Sequence, residues 1–225
     1  MSPVVIAVDG PAGSGKSSVS RALAARLGYR YLDTGAAYRA VAWEAADLGV
    51  DLDDAAAIVE LVRNARAEQA LDPAERWVRV GEADVTAAIR EPRVSAIVSR
   101  VAGVQAARDA LNERFRALIA GSEPGIVVEG RDITTVVAPD AEVRVLLTAA
   151  PEVRAARRAL ELAGAGAAGG AAEHAEVLRA ITERDEKDSR MVEFLSAAPG
   201  VTTVDSTELS FDETVDAIER LVPGR

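Results

Sequence analysis

An α/β fold, with a five-stranded parallel sheet covered by helices, is predicted by three features of the chain. Residues 4–8 form an unbroken apolar run, Val-Val-Ile-Ala-Val, of the kind found in a strand buried on both faces of a parallel sheet. Four more short apolar segments, at 29–32, 126–128, 143–147 and 201–204, alternate with stretches of helical period, which is the order of a doubly wound sheet. The chain has 225 residues, 49% of them hydrophobic, so it can bury a substantial core without disulfide or metal staples.

The helices follow from spacing and caps. Val19, Leu23 and Leu27 recur on one face of a predicted helix over 17–27, which Gly28 ends. A second helix over 36–48 is expected to turn Val41, Ala45 and Leu48 toward its core and to stop at Gly49. A third runs to about residue 66, capped by Asp51 or Asp53. Residues 71–92 differ in texture: Trp77-Val78-Arg79-Val80 alternates, and Gly81 follows, so a small antiparallel element is expected there as an insert. Helices are predicted over 92–101 and 104–120, the second with an apolar face of Leu111, Phe115, Leu118 and Ile119. Others are predicted over 151–162 and 173–186, separated by an Ala/Gly stretch at 164–170 that suits either a surface linker or a mobile lid. Ser210 and Glu213 offer a capping box for the last helix, over 211–222.

Composition excludes several chemistries. There is no cysteine and a single histidine, His174, so thiolate nucleophiles, disulfides and Cys/His metal centres are ruled out. The net charge of −10 gives an outer field that repels nucleic acid and anionic membrane, so neither is an expected partner. Residues 1–3 lead straight into the first apolar run with no basic leader, and that run is too short to span a membrane. A soluble cytoplasmic chain is expected, as a monomer, because the helical faces are consumed by one core.

The strongest local pattern is Gly10-Pro11-Ala12-Gly13-Ser14-Gly15-Lys16-Ser17, which matches G-x-x-x-x-G-K-[ST] in full between a buried strand and a helix. The spacing has a mechanical reason. Glycines let backbone N–H groups converge on phosphates, Lys16 reaches the β and γ groups, Ser17 can hold Mg²⁺, and the helix presents its positive end to the anion. ATP or GTP is the ligand such a loop takes, and the loop names no acceptor.

Further segments, in order, are Tyr31-Leu32-Asp33-Thr34-Gly35-Ala36-Ala37-Tyr38-Arg39, then Glu129-Gly130-Arg131-Asp132-Ile133-Thr134-Thr135-Val136-Val137-Ala138-Pro139-Asp140-Ala141, and Asp205-Ser206-Thr207-Glu208-Leu209-Ser210. Together with the loop they resemble the successive signatures of bacterial cytidylate kinases, nearly end to end. The resemblance implies transfer of the γ-phosphoryl group of ATP to CMP or dCMP, with Mg²⁺, on a phosphate-loop kinase core. It also implies a division into core (about 1–35, 104–152 and 175–225), a nucleotide-monophosphate region with its insert (about 36–103), and a lid (about 153–174).

Residue by residue, the resemblance places ATP at Gly10, Pro11, Ala12, Gly13, Ser14, Gly15, Lys16, Ser17 and Ser18, and the metal at Ser17. It places CMP at Thr34, which stands where serine is usual, and at Tyr38, Arg39, Ser99, Arg108, Gly130, Arg131, Asp132, Asp188 and Arg190. Lys16, Arg131, Arg158 and Arg184 are its catalytic positions, and Arg154 and Arg157 join Arg158 in the lid reading. One departure stands out: the arginine usual three residues past Asp188 is Met191 here, so either Arg190 comes in one position early, or Arg184 and Arg158 fill the role. Asp33 reads equally as a site residue or a helix cap, and Tyr38 as a pocket wall or as core. A related kinase for another monophosphate and a GTP-driven switch are the alternatives, the switch weakened by the lack of an Asn/Thr-Lys-x-Asp segment.

Overall fold

The first apolar run becomes β1 (Val4–Asp9), with Ile6, Ala7 and Val8 fully buried, as a strand covered on both faces requires. The computed structural model describes residues 3–164 and 195–224. β1 leads through the glycine-rich loop into α1 (Lys16–Leu27), then β2 (Arg30–Asp33), α2 (Thr34–Leu48) and α3 (Ala55–Asn64). A small three-stranded sheet follows, β3 (Ala67–Gln69), β4 (Val78–Val80) and β5 (Ala83–Asp84), with a single 3-10 turn at Ala88–Arg90. Next come α4 (Pro92–Ala102), α5 (Gln105–Ala120), β6 (Gly125–Gly130), a π-helical turn at Ile133–Val137, β7 (Val143–Thr148) and α6 (Pro151–Gly164). β8 (Thr202–Asp205) and α7 (Phe211–Glu219) complete the described elements.

The main sheet has the order β2-β6-β1-β7-β8, and the predicted class, a five-stranded parallel sheet flanked by helices, is the one observed. β1 pairs with β7 in parallel from Ile6 opposite Val143 to Asp9 opposite Leu146, and β7 pairs with β8 from Val145 opposite Thr202 to Thr148 opposite Asp205. All three strands therefore end in the same direction, with Asp9, Thr148 and Asp205 at their carboxyl ends. In open α/β sheets that is where ligands bind.

The chain divides into two units, Met1–Val5 with Ala24–Val128, and Ile6–Leu23 with Glu129–Arg225. In the first, Ala36 and Ala40 of α2 pack with Val78, Val80, Val85 and Ile89 of the insert, so the small sheet rests on the helix by an apolar face. Arg114 of α5 donates to the carbonyls of Ala65 and Ala67, tying down the backbone that enters β3. In the second, α7 begins with the predicted capping box, in which Ser210 and Glu213 satisfy each other's backbone N–H.

Several expectations need correction. Asp54 caps α3, with bonds from Ala56 N and Ala57 N, because Asp51 accepts from Asp53 N within its own turn and the Asp53 carboxylate pairs with Arg100. Leu48 is 59% exposed; it is the last residue of α2, and the left-handed Gly49 turns the chain away directly after it. Leu118 is also exposed, so the buried face of α5 narrows to Leu111, Phe115 and Ile119. β3 and the π-helical turn belong to no predicted element. The predicted helix over 173–186 and most of the Ala/Gly stretch lie outside the described residues. No helix among the described residues is long and apolar enough to cross a membrane.

Candidate functional site

The predicted site residues that the structure describes fall into two clusters, one in each unit. In the second unit the phosphate loop runs from the end of β1 to the first residue of α1, so the unpaired N–H groups of the helix open beside Ser17 and Ser18, both exposed. Gly13 has φ +75°, and a Cβ there would lie 2.6 Å from the Arg154 carbonyl oxygen, so both backbone conformation and close approach require glycine. Ser14 is buried, and its hydroxyl oxygen makes no hydrogen bond among the described residues.

The loop's carbonyls are held by cations, three from elsewhere in the chain and one, Lys16, from the loop itself. Arg131 Nη1 donates to Gly10 O at 2.7 Å, Lys16 Nζ to Pro11 O at 3.3 Å, Arg154 Nη1 to Ala12 O at 3.0 Å and Arg157 Nη1 to Ser14 O at 3.2 Å. Arg157 also donates to the hydroxyl and the carbonyl of Ser206, both at 2.8 Å, and the Ser206 hydroxyl donates to Thr148 O at 3.0 Å. Two arginines of the lid reading, Arg154 and Arg157, thus sit against loop backbone; Arg158, on the same helix, is half-buried.

Two acids complete this cluster, and sequence reasoning assigns a role to neither. Glu129, at the end of β6, is 1% exposed and accepts from the Ser17 hydroxyl at 2.9 Å. Asp9 accepts from Ile133 N at 2.9 Å, Thr134 N at 2.8 Å and Thr134 Oγ1 at 2.6 Å, which fastens the π-helical turn that follows Arg131 and Asp132. Burial pushes the Asp9 carboxyl above its ordinary pKa, the hydrogen bonds from Thr134 and Ile133 oppose the shift, and the nearby Asp132 adds to it. The signals are present in the chain: Asp9 directly precedes the loop, and Glu129 opens the Glu-Gly-Arg-Asp motif.

The buried Glu129 carboxylate and the Ser17 hydroxyl form a hard-oxygen pair at the helix N-terminus. That set fits Mg²⁺, which takes one or two protein oxygens and completes its shell with phosphates and water. No cluster of three or more His, Cys, Asp or Glu suited to a metal occurs among the described residues, as such a shared site would not require.

In the first unit the second cluster sits where β2 passes directly into α2. Asp33 is the N-cap: its Oδ1 accepts from Ala36 N at 2.7 Å, and its Oδ2 pairs with Arg39 Nη2 at 3.4 Å. Of the two roles open to Asp33, the cap is therefore the one observed. Thr34 is buried, while Tyr38 is half-buried with its ring 6.1 Å from that of Phe115 at a tilt of 58°, which joins α2 to α5. Ser99 on α4 and Arg108 on α5 are both half-buried; α4 packs on α2 and on α5. Gln69, singled out by nothing in the sequence, bonds both backbone groups of Asp33. Arg184, Asp188 and Arg190 lie outside the described residues.

Comparison with known proteins adds a family. A family model described as cytidylate kinase matches residues 6–223. A cytidylate kinase of Cutibacterium acnes is 50% identical over 226 residues, which covers 99% of this chain and 97% of the relative. One of Streptomyces avermitilis is 41% identical over 220 residues, covering 97% and 92%. Among solved structures, an uncharacterized protein from Eubacterium ventriosum has a TM-score of 0.50 at 12% identity with 99% of each chain covered, a likeness of fold alone.

Proposed function

Because the chain belongs to the cytidylate kinase family, we propose that it transfers the γ-phosphoryl group of ATP to CMP or dCMP, yielding ADP and CDP or dCDP. The observation that carries this reading is the phosphate loop itself: a complete motif, shaped by glycine, fixed at four carbonyls and opening onto the start of α1. On this reading ATP phosphates lie in the loop of residues 10–18, on the backbone N–H groups that all of them but Pro11 carry, and the buried Ser14 hydroxyl gains a phosphate oxygen as partner. Ser17 and Glu129 hold Mg²⁺, which supplies charge neutralisation on the donor phosphates when bound.

The acceptor needs no general base, since a nucleoside monophosphate oxygen is already charged at neutral pH. That oxygen attacks the γ-phosphorus, the bond to the β–γ bridging oxygen breaks, and ADP leaves. The work of the protein is positioning and charge stabilisation. Lys16 serves the donor; Arg39 and Arg131 orient the acceptor phosphate, and Arg158 and Arg184 offset charge on the transferred group. Thr34, Tyr38, Ser99, Arg108, Gly130 and Asp132 bound the nucleoside, with Asp188 at the sugar and Arg190 or its substitutes nearby. Cytosine presents an amine, N3 and O2, so a carboxylate, an arginine fork and hydroxyls complete its hydrogen bonds, whereas uracil has the wrong polarity at position four. Closure of a lid over 153–174 excludes water and so suppresses ATP hydrolysis.

The test is ADP release with a panel of CMP, dCMP, UMP and AMP. Fastest turnover with CMP and dCMP is expected; preference for AMP or UMP would replace the acceptor, and release independent of any acceptor would replace the reaction.

A further inference from the structure

The amide of Gln69 is bound to the backbone of a residue 36 positions away. Its Oε1 accepts from Asp33 N at 3.2 Å, and its Nε2 donates to Asp33 O at 3.0 Å. Only this orientation of the amide satisfies both bonds. Asp33 ends β2, which is the edge strand of the main sheet, and Tyr31 N two residues earlier donates to Leu71 O at 2.8 Å. The segment around β3 therefore lies along β2, with the Gln69 side chain continuing the pairing where a strand residue would otherwise do so.

Asp33 is consequently fixed at four points. Gln69 takes its N–H and its C=O, Ala36 N takes Oδ1, and Arg39 takes Oδ2. Each of these bears on the acceptor residues of the reading above. The peptide that Gln69 holds by its oxygen is the one joining Asp33 to Thr34, and the carboxylate aims the guanidinium of Arg39, six residues on along α2. The Asp33 and Arg39 side chains are 14% and 16% exposed, so neither geometry is left to solvent.

We infer that Gln69 is a positioning residue for acceptor binding: by clamping the Asp33 backbone it sets where Thr34 and Arg39 meet the nucleoside monophosphate, and it links the insert sheet to that site. The inference rests on the acceptor role proposed for Thr34 and Arg39. It assigns no contact between Gln69 and substrate.

Two variants test it, by steady-state kinetics with each substrate varied at saturation of the other and by thermal melting. Gln69→Ala removes both bonds. Gln69→Glu keeps the length and an acceptor for Asp33 N but has no N–H for Asp33 O, so it decides the matter should the alanine variant fold poorly. KM for CMP is expected to rise roughly tenfold in both, from misplacement of binding groups, with KM for ATP within about twofold of wild type. A rise in both KM values together, or a KM for CMP within about twofold of wild type in a folded variant, overturns the role. Failure of the acceptor reading shows up separately, because the wild-type enzyme would then turn over another monophosphate fastest, and the same comparison is made with that acceptor.

Discussion

The two clusters are built on opposite principles. In the proposed donor cluster the candidate binding groups are consecutive backbone atoms, and side chains from elsewhere (Arg131, Arg154 and Arg157) hold that backbone by its carbonyls. In the acceptor cluster the candidate binding groups are side chains at 34, 38, 39, 99 and 108, and part of their support is a polar clamp on the Asp33 backbone. A loop of backbone donors suits a ligand part that every nucleotide shares, the phosphate chain. Side chains drawn from several elements suit discrimination of one base from another, since each can be exchanged without rebuilding the backbone.

The largest effect expected in the donor cluster is on chemistry. Lys16→Ala should lower kcat/KM by about 2 to 5 kcal/mol, in the range of a lost transition-state donor, and unchanged kcat/KM would remove Lys16 from the reaction. Arg157→Ala comes next. It deletes the bonds to Ser14 O and to both oxygens of Ser206, and should cost about 1 to 3 kcal/mol of stability while raising KM for ATP and sparing KM for CMP. Denaturant unfolding and kinetics on one preparation measure both, and an unaltered KM for ATP would mean that the loop supports itself.

Asp33→Ala probes the other side. Loss of the α2 cap should cost about 1 kcal/mol, and release of Arg39 should appear in KM for CMP rather than for ATP; a change in KM for ATP alone would erase the contrast between the clusters.

The smallest effect is one of pH. Burial raises the folded-state pKa of Asp9 above the ordinary 3.8, so its stabilising contribution is complete below 3.8 and is lost as pH rises through the raised folded value. The stability advantage of wild type over Asp9→Asn should therefore shrink on going from pH 4 toward neutrality, as read by denaturant unfolding. A difference that grows with pH would reverse the assignment.

What is legible in the sequence follows from the same contrast. The phosphate loop is contiguous, its glycines have a steric reason, and it lies between two strongly patterned elements, so sequence alone locates it. β3 cannot be found this way: Ala-Glu-Gln is three residues with no apolar alternation, and it becomes a strand by pairing with β4 from Ala67 opposite Val80 to Gln69 opposite Val78. Gln69 is invisible for a related reason, since its partner is backbone and backbone leaves no mark on residue choice. The capping of α3 depends on which of three nearby aspartates is already engaged, something only tertiary contacts decide. Asp9 reads as no more than the end of a strand because its three donors arrive from residues 133 and 134.

The cations behind the phosphate loop also change the electronic character of the peptides they touch. A carbonyl that accepts from a guanidinium or ammonium draws electron density through its own amide, and the N–H on the other side of that peptide becomes a better donor. The carbonyls of Pro11, Ala12 and Ser14 share their peptides with the N–H groups of Ala12, Gly13 and Gly15. The Gly10 carbonyl, held by Arg131, shares its peptide with proline and has no hydrogen to sharpen. Three loop amides are thus polarised before any anion arrives, one by the loop's own Lys16 and two by arginines of α6.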